Sequence, residues 1–136
     1  MNKTIIVSAS VSGLLAVALG AFGAHTLRTV VSADSILIWE KGIQYQFYHT
    51  LVLLFCALYL QQQQSVRVRS AALFFMLGIF CFSGSLYLLA TRELTQISTA
   101  LIGPVTPLGG MFFIVGWALL LFHFLRNGSA EKNMKE

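Results

Sequence analysis

Apolar residues fall along this chain in four long runs separated by short polar stretches, a rhythm far too slow for alternating strands and long enough in each run for a membrane-crossing helix. The first run, residues 4–24, has no charge in 21 positions. The second covers 43–60, the third 71–90 and the fourth 104–125, before a polar tail at 126–136. About 20 apolar residues cross the hydrocarbon of a bilayer, and only helices or closed barrels satisfy their backbone there. The pattern therefore predicts an all-α integral membrane protein, a single membrane domain folded as a four-transmembrane-helix bundle. Lys3 and the small-residue stretch Ala21-Phe22-Gly23 mimic a cleaved signal, but the first run exceeds the roughly 7–15 apolar residues of a signal core. It reads as a helix.

Each run carries its own internal pattern. In the first, Ser8, Ser12, Ala16, Gly20 and Ala24 recur every fourth residue, with Gly23 beside them, a small-residue ridge that lets another helix approach closely. That ridge is a candidate for homo-oligomer packing as well. Between the first two runs, Asp34 or Ser35 is placed to cap a helix, Trp39 belongs at headgroup depth, and Gly42 is the expected bend. The second run opens on polar residues, and Tyr45, His49, Val52, Cys56 and Tyr59 fall on one helical stripe that should face other helices. In the third, Gly78, Cys81 and Ser85 share one face while Ser83 and Tyr87 share the opposite one. The fourth begins with Pro104 and Pro107, which place a backbone bend and a helix start there, because proline lacks the N–H that a helix interior needs.

Composition agrees with a membrane solvent. Of 136 residues 57% are hydrophobic and 10% charged, with mean hydropathy +0.76, which a soluble core of this size could not bury. The net charge of +4 is spread over tails and connections with no basic helix, so nucleic acid is not the expected partner and the lipid bilayer is. Cys56 and Cys81 lie inside apolar runs at no metal or redox spacing and read as packing residues. With cytoplasmic termini, Lys3, Arg67, Arg69, Arg126, Lys132 and Lys135 lie inside against Arg28, Lys41 and Arg92 outside. The positive-inside rule thus puts both termini in the cytoplasm.

In this orientation polar side chains from all four helices gather near the outer face: His25, Gln44, Tyr45, His49, Ser83, Ser85, Tyr87 and Thr106. This layer has two readings. It pins helix register through interhelical hydrogen bonds, or it forms an outward-facing site where neutral His49 accepts and donates while Tyr45 and Gln44 orient a ligand. A metal or haem centre on His25 and His49 lacks a histidine pair at helical spacing and any acidic support, so no metal or cofactor is expected. No span contains Asp, Glu, Lys or Arg, and no nucleophile stands beside a base, so no catalytic residue is named and an enzyme is not expected. His123 reads as interfacial. What remains is a small interaction or accessory module, or an oligomeric carrier or channel for a small neutral solute.

Four patches taken together carry a family likeness: Gly20-Ala21-Phe22-Gly23-Ala24-His25, then Gly42-Ile43-Gln44-Tyr45-Gln46-Phe47-Tyr48-His49-Thr50, then Phe82-Ser83-Gly84-Ser85-Leu86-Tyr87, then Val105-Thr106-Pro107-Leu108-Gly109-Gly110 followed by Gly116-Trp117. In this order and spacing the chain resembles the YgdD family of small bacterial inner-membrane proteins, a domain of unknown function. The resemblance reaches to Arg126 and implies a four-helix inner-membrane protein. It brings no catalytic or binding residue with it.

Overall fold

The computed structural model describes residues 2–133, whose regular elements are all helical. α1 (Asn2–His25), α2 (Ala33–Gln62), α3 (Val66–Ala90) and α6 (Val105–Asn133) form the four stretches long and apolar enough to cross a membrane, the first of which runs on to Thr29. Two short helices, α4 (Arg92–Thr95) and α5 (Thr99–Ile102), lie in the connection between α3 and α6. Alternating directions bring the start of α1, the α2–α3 turn and the end of α6 to one side, the near end. The α1–α2 and α3–α6 connections form the far end.

Neighbours in sequence are neighbours in space: α1 packs along α2, α2 along α3, and α3 along α6. Two apolar clusters hold them. Toward the near end, Ile5 and Ala9 meet Leu53, Cys56 and Leu60 of α2, with Phe75 of α3 and Phe113 of α6. At the far end Leu27, in a 3-10 turn (Leu27–Thr29), packs with Trp39 and Ala90. Lipid tails are as apolar as these side chains, so close packing, not water exclusion, supplies most of the attraction.

The face that α1 turns inward is Ile5, Ala9, Ser12, Ala16 and Gly23, with Ser12 half-buried and the others buried, spaced four, three, four and seven, the stripe that suits a shallow left-handed crossing. Gly23 sits under Trp39, where a Cβ would come within 2.6 Å of the indole. The Trp39 indole N–H donates to the carbonyl of Leu19 at 3.0 Å and so pins the far end of the pair. A strict four-residue ridge drifts off this stripe. Gly20 has nothing within 4 Å of a Cβ, Ala24 is exposed, and the close approach belongs to Gly23. Of the ridge, Ser12 bonds Thr50 of α2 and Ala16 is buried.

α2 is also longer than its apolar run. Its 30 residues start at Ala33, close to the start expected at Asp34 or Ser35, and Trp39 is buried against α1. Ser32, not Asp34 or Ser35, is the cap, accepting the Ser35 N–H at 3.3 Å. α2 runs unbroken through Gly42. A Cβ there would stand 2.8 Å from the Tyr87 ring, so the glycine is a spacer between α2 and α3. α3 contains a π-helical turn, Ile79–Ser83, whose backbone swells toward α6 at Gly109. The chain turns at Gly103 and Pro104, and Pro107 falls in the first turn of α6, where no intrahelical partner is lost.

Candidate functional site

The polar side chains of the spans lie between the two apolar clusters, and they resolve into three linked groups. The first centres on Gln46, which is 4% exposed. Its amide N–H donates to the carbonyl of Ser12 at 2.8 Å, and its amide oxygen accepts the Tyr87 hydroxyl at 2.7 Å, so one side chain ties α1, α2 and α3 together. Beside it the Thr50 hydroxyl donates to the Gln46 carbonyl at 2.8 Å, which leaves the Ser12 hydroxyl to donate to Thr50 at 2.7 Å.

The second group is His49. A carbonyl can only accept, so the 2.8 Å contact with the Tyr45 oxygen puts the proton on Nδ1. Nε2 then accepts the Trp117 indole N–H at 3.3 Å. The imidazole is neutral, both nitrogens are committed, and the ring lies on Phe113 at 3.5 Å between centroids and 7° between planes. In the third group Ser85 donates to the Phe82 carbonyl at 2.9 Å, and Thr106 donates to Ser85 at 2.7 Å, joining α3 to α6.

Of the residues that the sequence gathers into one layer, the structure joins Tyr87 to Gln46 and Ser85 to Thr106, and buries His49 and Ser83. Two stand apart. His25 is exposed at the end of α1, and Gln44 is exposed on the outer face of α2, between Lys41 at 3.2 Å and Tyr48 at 2.9 Å. Tyr45 is 36% exposed and leans on the Phe82 ring at 4.6 Å between centroids. The Ser83 hydroxyl, inside the π-helical turn, has no partner among the described residues. No group of three metal-ligating side chains occurs among the described residues. Gln46, Thr50 and Trp117 carry bonds that the stripe through Tyr45 and His49 does not point to; Thr50, four residues from Gln46, was the available signal.

Two further polar clusters tie the ends. At the near end His123 is buried and lies 2.8 Å from the Tyr59 hydroxyl and 3.2 Å from the hydroxyl of Ser65, the cap of α3. At the far end Glu93 accepts the hydroxyls of Ser32 at 2.7 Å and Ser35 at 2.8 Å, and the Ser32 N–H at 3.3 Å. These bonds, the Ser32 hydroxyl foremost, hold the Glu93 carboxyl below the usual carboxylate range. A carboxyl depressed in the folded state stabilises above its unfolded pKa, and the contribution is lost as pH falls through the folded one. The clasp is therefore expected to hold at neutral pH and to open below about pH 4.3, the ordinary glutamate value. Amide hydrogen exchange at residues 34–36, corrected for intrinsic rates, reads it. Protection that stays flat into acid, or that survives Glu93→Gln, would contradict the assignment.

Beside the polar layer, between α1 and α3, a cavity of about 920 Å³ opens on the side of the bundle. Its walls are mostly apolar and contain no Asp, Glu, Lys, Arg or His, but Ser8, Ser12, Gln46, Ser85 and Tyr87 reach it.

Comparison with known proteins places this architecture. A family described as a protein of unknown function, DUF423, matches residues 19–110. A UPF0382 membrane protein of Staphylococcus saprophyticus is 43% identical over 119 residues, covering 88% of this chain and 94% of that protein. The UPF0382 inner membrane protein YgdD of Escherichia coli K12 is 39% identical over 125 residues, 92% of each chain. No solved structure matches.

Proposed function

The chain belongs to the DUF423 family, a multi-pass protein of the bacterial inner (cytoplasmic) membrane, and from that premise we propose that it is a non-catalytic interaction module whose recognition surface faces sideways into the bilayer. One observation carries this reading. The hydrogen-bonding groups of the intramembrane layer are largely spent on one another, while the roomy feature beside them opens toward lipid. A carrier or channel needs polar groups free to replace the hydration of a solute along a path between the two faces. Here His49, the residue best suited to such exchange, is locked at both nitrogens. Self-association through the α1 ridge is not part of the proposal, because α2 already covers Ser12, Ala16 and Gly23.

Liposomes test the reading. Those containing the purified protein should retain entrapped glycerol, urea and small sugars as tightly as protein-free liposomes of the same lipid. Protein-dependent release of any of these solutes, abolished by His49→Ala, would establish the carrier instead.

A further inference from the structure

We infer that the groove between α1 and α3 binds a long-chain membrane amphiphile with an uncharged, hydrogen-bond-accepting head, read by the Gln46 amide and the Ser8 hydroxyl. This deepens the module reading and rests on it. The groove runs along α1 from Val7 to Leu19, about 18 Å at 1.5 Å per residue, well short of the roughly 30 Å that a crossing helix must traverse. Its far end is lined by Ile102 of α5 and Val105 at the start of α6. A partner's transmembrane helix would have to leave through that end, whereas a single chain can lie below it.

Chemistry selects the head. With no cationic side chain on its walls, and Tyr87 and the Cys81 thiol its only ionisable groups, the groove offers nothing to a phosphate or carboxylate, whose burial without a counter-charge is costly. Two polar groups on the walls remain unspent. Gln46 has two amide N–H groups, of which one goes to Ser12, and Ser8 makes no hydrogen bond with any described residue. Ser8 lies one turn from Ser12 along α1, and the Ser12 carbonyl holds the Gln46 amide, so the Ser8 hydroxyl and the second Gln46 N–H stand on neighbouring turns of one wall, placed to address one carbonyl-bearing head. The lateral opening admits such a molecule from the bilayer without crossing water. Gly84, also on the wall, has nothing within 4 Å of a Cβ and keeps part of that space clear.

The test uses the full chain in phosphatidylethanolamine and phosphatidylglycerol nanodiscs. Two diazirine-tailed probes of equal chain length are compared: a monoacylglycerol and a lysophosphatidylglycerol. On illumination the monoacylglycerol should label α1 and α3 within the groove, about tenfold above its charged counterpart. Ser8→Ala should cut that preference roughly three- to tenfold, the effect of one lost hydrogen bond, with no change in thermal midpoint because Ser8 has no internal partner. Gly84→Leu, and independently Leu15→Trp on the opposite wall, should suppress labelling by filling the space. Equal labelling by both probes, or labelling outside the groove, overturns the inference, since either means bulk lipid only. So does a photo-amino acid at Leu15 that captures another protein's transmembrane helix in native membranes. Equal labelling leaves the module reading standing; that reading fails on solute release.

Discussion

Gly109→Ala is expected to lower the unfolding midpoint of the bundle more than any other single-methyl addition at its glycines, at a cost of about 1–3 kcal/mol for overpacking. A Cβ at Gly109 would overlap the backbone nitrogen of Phe82 and approach its Cα and Cβ at 2.7 and 2.8 Å. Backbone cannot rotate aside as a side chain can. Phe82 belongs to the π-helical turn, so α3 carries its widest backbone to this contact and α6 meets it with no side chain. Two other glycines serve as controls. At Gly78 the obstacle is the Phe113 ring, which can yield at some cost to its stack on His49. At Gly20 there is open space, so Gly20→Ala should be neutral or stabilising by up to about 1 kcal/mol, the helix preference of alanine over glycine. Thermal midpoints of the three variants in one detergent decide the matter. An unchanged midpoint for Gly109→Ala would mean that the two backbones can separate without loss, and the tight α3–α6 contact would then not be what holds α6.

The same comparison shows what a chain of this kind discloses before it folds. The spans were legible because the bilayer imposes a length on every crossing, and the start of α6 because proline removes a hydrogen bond that only a first turn can spare. Partners across helices were not. Tyr45 and Gln46 are adjacent and equally suited to a buried stripe, yet Gln46 is buried and Tyr45 half-open, because α2 is flanked by α1 and α3 at once. Nothing local to α2 states where two flanking helices will lie. Gly42 has the composition of a hinge and the geometry of a spacer, a distinction that depends on Tyr87, 45 residues on. The cap of α2 depends likewise on Glu93, separated from Ser32 by 61 residues. Gly20, by contrast, fits the ridge in one dimension and misses it in three, since a spacing of four precesses around a helix of 3.6 residues per turn.

Gln46→Leu should be the most damaging substitution in the polar layer, at roughly 2–3 kcal/mol, and its coupling to Tyr87 should be measurable. Interhelical hydrogen bonds within a membrane average about 0.6 kcal/mol and reach about 1.7. Gln46→Leu removes two of them, one to Ser12 on α1 and one from Tyr87 on α3, and leaves the Tyr87 hydroxyl without its acceptor in a low dielectric. Tyr87→Phe breaks only the second bond and should cost about 1 kcal/mol. In the double variant the orphaned hydroxyl is gone, so the combined loss should fall short of the sum by about 1 kcal/mol. Free energies of unfolding in mixed micelles for the four proteins complete the cycle. Thr50→Val provides an independent reference on α2: it breaks the Ser12–Thr50 bond but neither bond of the Gln46 side chain, so its loss should add to that of Tyr87→Phe. If Gln46→Leu and Tyr87→Phe proved additive as well, the amide and the phenol would contribute separately, and α1 and α3 would not be held through a common side chain.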